Sequence, residues 1–551
     1  MTSSRILLAA LAAFAPLSGL AAEFSAAARM PVAPALKRLD ANVLLEITLD
    51  LPEAATLSAA EFTLSGSGAT AREVDKFILA SVETLEKATY EPAPWELPAP
   101  NRRLNGAPAP FATTLRLAGN LSLKQGPNLL RLFATVPDSA DIDRRLTVAC
   151  TGLTLNGKRV KPDALRTPPL RFGVALRKSR EENCHTYRIP GLVATPKGAL
   201  IAVYDNRYKH WGDLPAHVDV GFQRSTDGGR TWSPMKIAMD MGNESEKGAA
   251  SNGIGDPAIL ADPKTGKVWI AALWSHGNRS WHGSGPGLTP KETGQFVLVS
   301  SDDDGKSWSK PINITAQVKN PQWTLFFQGP GAGIAMRDGT LVFPAQFQIG
   351  EKKPDGKIDR TPYSNLIYSK DNGKTWKTAT GAKSNTTEAQ VVELSDGSLM
   401  LNMRDNRGGF RSVAVTKDLG ATWTEHPSSR KALKDPVCQA SILRADLTKA
   451  KSPLLFSNAA GPGRTNMTIK ASSDDGDSWN SGLLLNEGGA AYSCLAMADA
   501  RTAAIVYEAN QANMIFQRIP LAEILDADKA GPIAPKSAVA AELAAKKKSG
   551  K

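Results

Sequence analysis

Five aspartates in this chain share one setting. Asp227, Asp303, Asp371, Asp418 and Asp474 each lie in the pattern Ser/Thr-x-Asp-x-Gly-x-Ser/Thr-Trp, at 225–232, 301–308, 369–376, 416–423 and 472–479. A carboxylate beside hydroxyls can move protons or hold a turn, and its neighbours here favour the turn. Asp accepts hydrogen bonds from turn amides, Gly supplies a positive φ, and Trp covers the turn with a large apolar face. The five aspartates are therefore read as fold elements and not as catalysts. Two other groups of reactive or flexible residues point away from cofactor chemistry. Cys150, Cys184, Cys438 and Cys494 lack metal-ligand spacing, which argues against a zinc site, and they read as buried free thiols in preference to a disulfide. Gly329-Pro330-Gly331-Ala332-Gly333 lacks the Lys-Ser/Thr ending of a phosphate loop. No metal and no cofactor is expected.

The elements that carry these residues follow from the repeat. Its copies are 47 to 76 residues apart, and short β-rich runs precede them, a pattern of β-propeller blades with insertions. Strands at 192–204 and 503–517 are expected to help close the ring, which places a six-bladed propeller at 173–525. Residues 23–172 contain no repeat. They read as short strands separated by Pro/Gly/Asn turns, which predicts a β-sandwich ahead of the propeller, with 166–169 as linker. The fold class is all-β. Residues 1–22 have the short positive start, apolar run and small-residue end of a signal peptide, so the mature protein is expected to be secreted or periplasmic. No segment is apolar enough to span a membrane. The net charge is +12, but the stretch from Lys529 to the end holds six lysines against one glutamate, in a basic tail at 526–551 expected to be disordered. The remaining surplus is modest. It favours an anionic substrate through steering and does not call for nucleic acid.

The most specific local motif is Tyr187-Arg188-Ile189-Pro190-Gly191-Leu192, just before the first blade-like strand. With the five repeats it resembles the bacterial exo-sialidases over roughly residues 180–520, and the order of motifs also matches. The 23–172 region is similar to the β-sandwich that precedes the propeller in some of these enzymes. The resemblance implies removal of terminal sialic acid from glycoproteins, glycolipids and oligosaccharides. Sialic acid carries a carboxylate on its anomeric carbon, and the planar fork of arginine suits that group. The family's three carboxylate-binding arginines map to Arg188, to Arg404 in Asn402-Met403-Arg404-Asp405-Asn406-Arg407, and to Arg464 in Gly461-Pro462-Gly463-Arg464-Thr465-Asn466. The substrate carboxylate would repel a carboxylate nucleophile, and sialidases are known exceptions that use Tyr. The matching residue is Tyr492, with Glu388 as its base and nearby arginines expected to favour the phenolate. The general acid maps to Asp213, with Asp205 and Asp219 as competitors. Softer assignments are Arg207 near the sugar hydroxyls, Asp256 near the ring substituents and Gln328 at the glycerol side chain. The same residues would also serve a trans-sialidase or intramolecular sialidase, and the turns alone would allow a glycan-binding propeller without catalysis.

Overall fold

Each Asp-containing turn links the third and fourth strands of a small antiparallel sheet. In the first, Ser225 Oγ donates to Asp227 Oδ1 at 2.7 Å and accepts from the Gly229 amide at 2.8 Å. The Thr231 amide and hydroxyl donate to the two Asp227 oxygens at 3.0 and 2.6 Å. The same contacts recur around Asp303, Asp371, Asp418 and Asp474. Thr hydroxyls and amides hold the Asp371 and Asp418 carboxyls down at about 2. Gly229 has φ of 91°, and a Cβ there would run into the ring of Phe516 in another sheet. Trp232 packs edge-on against that same ring, at 5.0 Å between centroids. Trp308 on Phe222 and Trp376 on Trp269 repeat the arrangement. Each turn thus stitches its own blade to the one before it.

The structure is a computed structural model that describes residues 25–66, 73–82, 99–105, 113–245, 248–249, 251–446 and 448–534. The expected signal peptide and the tail from 535 onward lie outside these residues. Six blades follow one another. Blade 1 is Thr186–Ala194, Leu200–Arg207, Val218–Ser225 and Lys236–Met239. Blade 2 is built on Asn252–Ala261, Val268–His276 and Gln295–Ser301, and blade 3 on Leu325–Gln328, Leu341–Gln348 and Pro362–Ser369. Blade 4 uses Thr386–Glu393, Leu399–Asp405 and Ser412–Thr416. Blade 5 uses Ser441–Arg444, Leu454–Ala459 and Thr465–Ser472. The long strand Leu483–Asp499 edges blade 5 with its first half and starts blade 6 with its second. Thr502–Ala509 and Met514–Pro520 continue blade 6, and Leu170–Arg177, from before the first blade, completes it. The first strand of blade 1 touches the first strands of both blade 2 and blade 6, so the ring is closed.

The amino-terminal strands form a sandwich. Ser25–Arg29, Asn42–Leu51, Gly126–Thr135 and Asp75–Ser81 pair in that order, and the short Arg103–Asn105 turns the corner to Thr114–Leu123, Ala55–Gly66 and Arg145–Leu155. Leu45, Ile47, Leu130 and Leu132 from one half share a core with Leu57, Phe62, Leu117 and Leu153 from the other. The expected boundary at 172/173 falls inside Leu170–Arg177, which pairs with the sandwich at Leu170 and Arg171 and then enters blade 6. Ala35–Lys37 adds a further strand to that blade, burying Leu36 beside Ala175 and Ile515. Residues 526–534, expected in the disordered tail, begin with a short helical turn at Ala527–Lys529, and the Asp528 carboxylate accepts the Ser481 amide. All four cysteines are free and buried.

Asp227→Ala removes three acceptor contacts from its turn and costs about 1–3 kcal/mol. Calorimetry should find the unfolding midpoint lowered by a few degrees, while Thr226→Ala, at a solvent-facing position of the same turn, leaves it in place.

Candidate active site

The inner strands of four blades are interrupted where they approach the axis. The pairing register shifts between Arg188 and Gly191, Gly255 and Ala258, Thr386 and Ala389, and Ala490 and Ser493. A bulge of this kind turns side chains off the ladder and re-aims them. The bracketed residues include Asp256, Glu388 and Tyr492, and Arg188 stands at the edge of the first bulge. Pro190 and Pro257 fall inside two of these shifts, where a missing amide does no harm. Ile189 and Asp256, just before them, have φ of 63° and 57°. The interruptions bring Arg188, Asp256, Glu388 and Tyr492 from four blades to the wall of one cavity of about 490 Å³. Arg404, Arg464 and Asp213 line the same cavity.

At its floor, three groups form a hydrogen-bonded triangle. The Tyr492 hydroxyl donates to Glu388 Oε1. Arg404 Nη1 donates to Glu388 Oε2 at 2.7 Å and to the Tyr492 oxygen at 3.0 Å. The guanidiniums of Arg188 and Arg464 stand 5.4 and 5.5 Å from the Tyr492 ring centre. The expected pull of Arg404 and Arg464 toward the phenolate is present but outweighed. Burial and then the Glu388 carboxylate push the Tyr492 pKa well above the ordinary value, against the opposing pull of Arg404 and Arg464. The resting group is a phenol whose proton already points at a carboxylate.

Asp213 also lines the cavity, on the loop between Leu200–Arg207 and Val218–Ser225. Its side chain is 77% exposed, and one oxygen lies 2.7 Å from Arg207 Nη1. Desolvation on the cavity side raises its pKa, but Arg207, Arg188 and then Arg464 outweigh this and hold the carboxyl below its ordinary value. Neither competitor lines the cavity. Asp205 is buried against Arg207, and Asp219 accepts a hydrogen bond from the Tyr208 hydroxyl at 2.7 Å.

Two softer assignments fall on residues that stand behind the cavity lining. Arg207 does not reach into the cavity. Its side chain is 2% exposed, and the Asp205 and Asp213 carboxylates and the Trp211 carbonyl occupy its guanidinium. It positions the Asp213 loop from behind. Gln328 is fully buried and donates to the Asp256 carbonyl, so it supports the second bulge, while Gln346 from the next strand lines the cavity. Asp256 is at the wall as expected, with its carboxyl pKa pushed well up by burial and then by Asp205 and Asp213.

Sequence reasoning missed Glu508. This buried carboxylate accepts Arg188 Nε at 2.7 Å and the Ile189 amide at 2.8 Å on one oxygen, and the Tyr492 amide at 3.2 Å on the other. It ties the blade 1 bulge to the blade 6 bulge. A signal was present, because Glu508 is the one charged residue in the apolar run Ala503-Ala504-Ile505-Val506-Tyr507-Glu508-Ala509, and a charge inside a buried strand needs a partner. Trp211, Leu214, Trp281 and Phe327 also line the cavity and supply its apolar surface.

Comparison with known proteins agrees with this geometry. The family described as BNR repeat-like domain matches residues 198–505. A sialidase of Bacteroides fragilis is 43% identical over 526 residues, covering 90% of this chain and 94% of its own. A sialidase of Micromonospora viridifaciens is 34% identical over 338 residues, covering 59% of this chain and 50% of its own. Among solved structures, the Hadza microbial sialidase Hz136 superposes with a TM-score of 0.82 at 38% identity, covering 90% of this chain and 99% of that one.

Glu508→Gln removes the buried charge that fixes Arg188. Leaving one partner of such a pair uncompensated costs about 3–5 kcal/mol. The variant should unfold at a clearly lower temperature and bind a sugar carboxylate at least about tenfold more weakly. Unaltered binding by calorimetry would show that Arg188 does not depend on Glu508.

Proposed function

The chain belongs to the BNR-repeat sialidases and is an exo-α-sialidase, a glycoside hydrolase of sialylated glycans, and from this we propose a double displacement through Tyr492. The Tyr492–Glu388–Arg404 triangle carries the proposal. Arg188, Arg404 and Arg464 take the sialic acid carboxylate. Charge-assisted bonds to a planar fork fix that group, and with it the anomeric carbon, above the phenol. As the Tyr492 oxygen bonds to the anomeric carbon, its proton passes to Glu388 Oε1. In the same step Asp213 gives a proton to the glycosidic oxygen, which leaves with the bonding pair. Positive charge that develops on the sugar is offset by its own carboxylate, and a phenol avoids the repulsion a carboxylate nucleophile would meet. In the second step Asp213 takes a proton from water, the hydroxide adds to the anomeric carbon, and the Tyr492 oxygen leaves and recovers its proton from Glu388. Two inversions give retention.

The low pKa of Asp213 in the empty site has a consequence. Two of the arginines that depress it, Arg188 and Arg464, also receive the substrate carboxylate, while the strongest, Arg207, stays paired with Asp213. Once that anion neutralises these two, the pKa of Asp213 rises and the group takes up more readily the proton it must donate. The substrate's charge arms the acid.

Tyr492→Phe should leave the fold intact and lower kcat by on the order of 10²–10⁴ on a sialoside with a sugar leaving group. Quenched wild-type enzyme should carry a sialyl adduct on Tyr492 by mass spectrometry. A phenylalanine variant with wild-type turnover would remove the tyrosine from the mechanism. Binding should also take up protons. Near the ordinary carboxylate range, about pH 4, calorimetry of a sialic acid ligand on Tyr492→Phe in two buffers of different ionisation heat should show net uptake, and Asp213→Asn should remove most of it. Net release would contradict the arming of Asp213.

A further inference from the structure

We propose that Trp211 is the platform on which the sugar adjoining sialic acid rests while the glycosidic bond breaks. The inference deepens the mechanism above, since it takes Asp213 as the proton donor. Trp211 lines the cavity and keeps 56% of its surface exposed. Among the described residues no other aromatic side chain is this exposed. The other apolar residues of the cavity are already occupied. Leu214 and Trp281 pack on Leu273, Leu325 and Phe327, and Trp281 meets the Phe327 ring at 6.2 Å. Trp211 stands outside that cluster.

Its position follows from chemistry on the same loop. Asp213 must lie within hydrogen-bond reach of the glycosidic oxygen. The sugar beyond that oxygen leaves past Asp213, and Trp211 is two residues away. The spacing is held by one buried guanidinium. Arg207 Nη1 donates to the Trp211 carbonyl at 2.7 Å and lies 2.7 Å from Asp213 Oδ1. The proton donor and the indole are therefore registered to each other before substrate arrives. A pyranose has an apolar C–H face and a polar edge, and an indole at a wet rim offers a flat apolar surface to match. A leaving group without a ring has nothing to lay on it.

The test is a ratio of kcat/KM values, that for sialyllactose, whose leaving group is a sugar, over that for the methyl α-sialoside, whose leaving group is one carbon. In Trp211→Ala this ratio should fall about tenfold, the effect of losing roughly 1.4 kcal/mol of leaving-group contact. Trp211→Phe should restore part of it. Because the indole is exposed, neither change opens a core cavity, and circular dichroism checks that the fold is retained. If the ratio holds in Trp211→Ala, whether both rates stay high or both fall together, Trp211 does not bind the leaving group. Loss of the tyrosine mechanism would appear separately, as wild-type turnover of the methyl sialoside by Tyr492→Phe.

Discussion

Three guanidinium groups converge on one tyrosine ring, and their mutual repulsion in a largely buried pocket is the constraint that the rest of the structure meets. Each is held by a different device. Glu508 takes Arg188, Glu388 takes Arg404, and the Val437 carbonyl faces Arg464. Two of these partners have a second task. Glu388 also accepts the Tyr492 proton, and Glu508 also fixes the amide of Tyr492. Charge compensation and positioning of Tyr492 are thus one network. Removal of a single carboxylate would leave an uncompensated cation beside the reacting oxygen, where low dielectric makes the penalty large.

That network spans four blades, so it exists only in a closed ring. Closure depends on residues far from the cavity. The Asp-containing turns press Gly and Trp against the preceding blade, and Leu170–Arg177 completes the last sheet from before the first. The sandwich takes part in this, because Ala35–Lys37 covers the edge of that strand. The amino-terminal domain is therefore continuous with the catalytic one in hydrogen bonding, and not an appendage on a linker.

Against this buried floor stands an exposed carboxylate. Asp213 has solvent on one side and Arg207 on the other, and Arg207, Arg188 and then Arg464 hold its carboxyl below the ordinary value. In the proposed mechanism the floor fixes the anomeric carbon and the loop meets the leaving group.

Much of this was legible in the residues. The repeat of Asp, Gly and Trp determined the turns, because a hydroxyl–carboxylate–amide turn is a local structure whose bonds close within eight residues. The motif order determined which arginines, glutamate and tyrosine enter the cavity. Tertiary structure decided what depends on neighbours distant in sequence. It placed Arg207 and Gln328 behind the cavity lining, because strand pairing and the bulges set which way each side chain points. It brought in Glu508, whose role rests on contacts 16 and about 320 residues away. It also set the balance at Tyr492, where burial and Glu388 outweigh the arginines, because a pKa is the sum of burial and every nearby charge, and that sum is not written in any one segment of the chain.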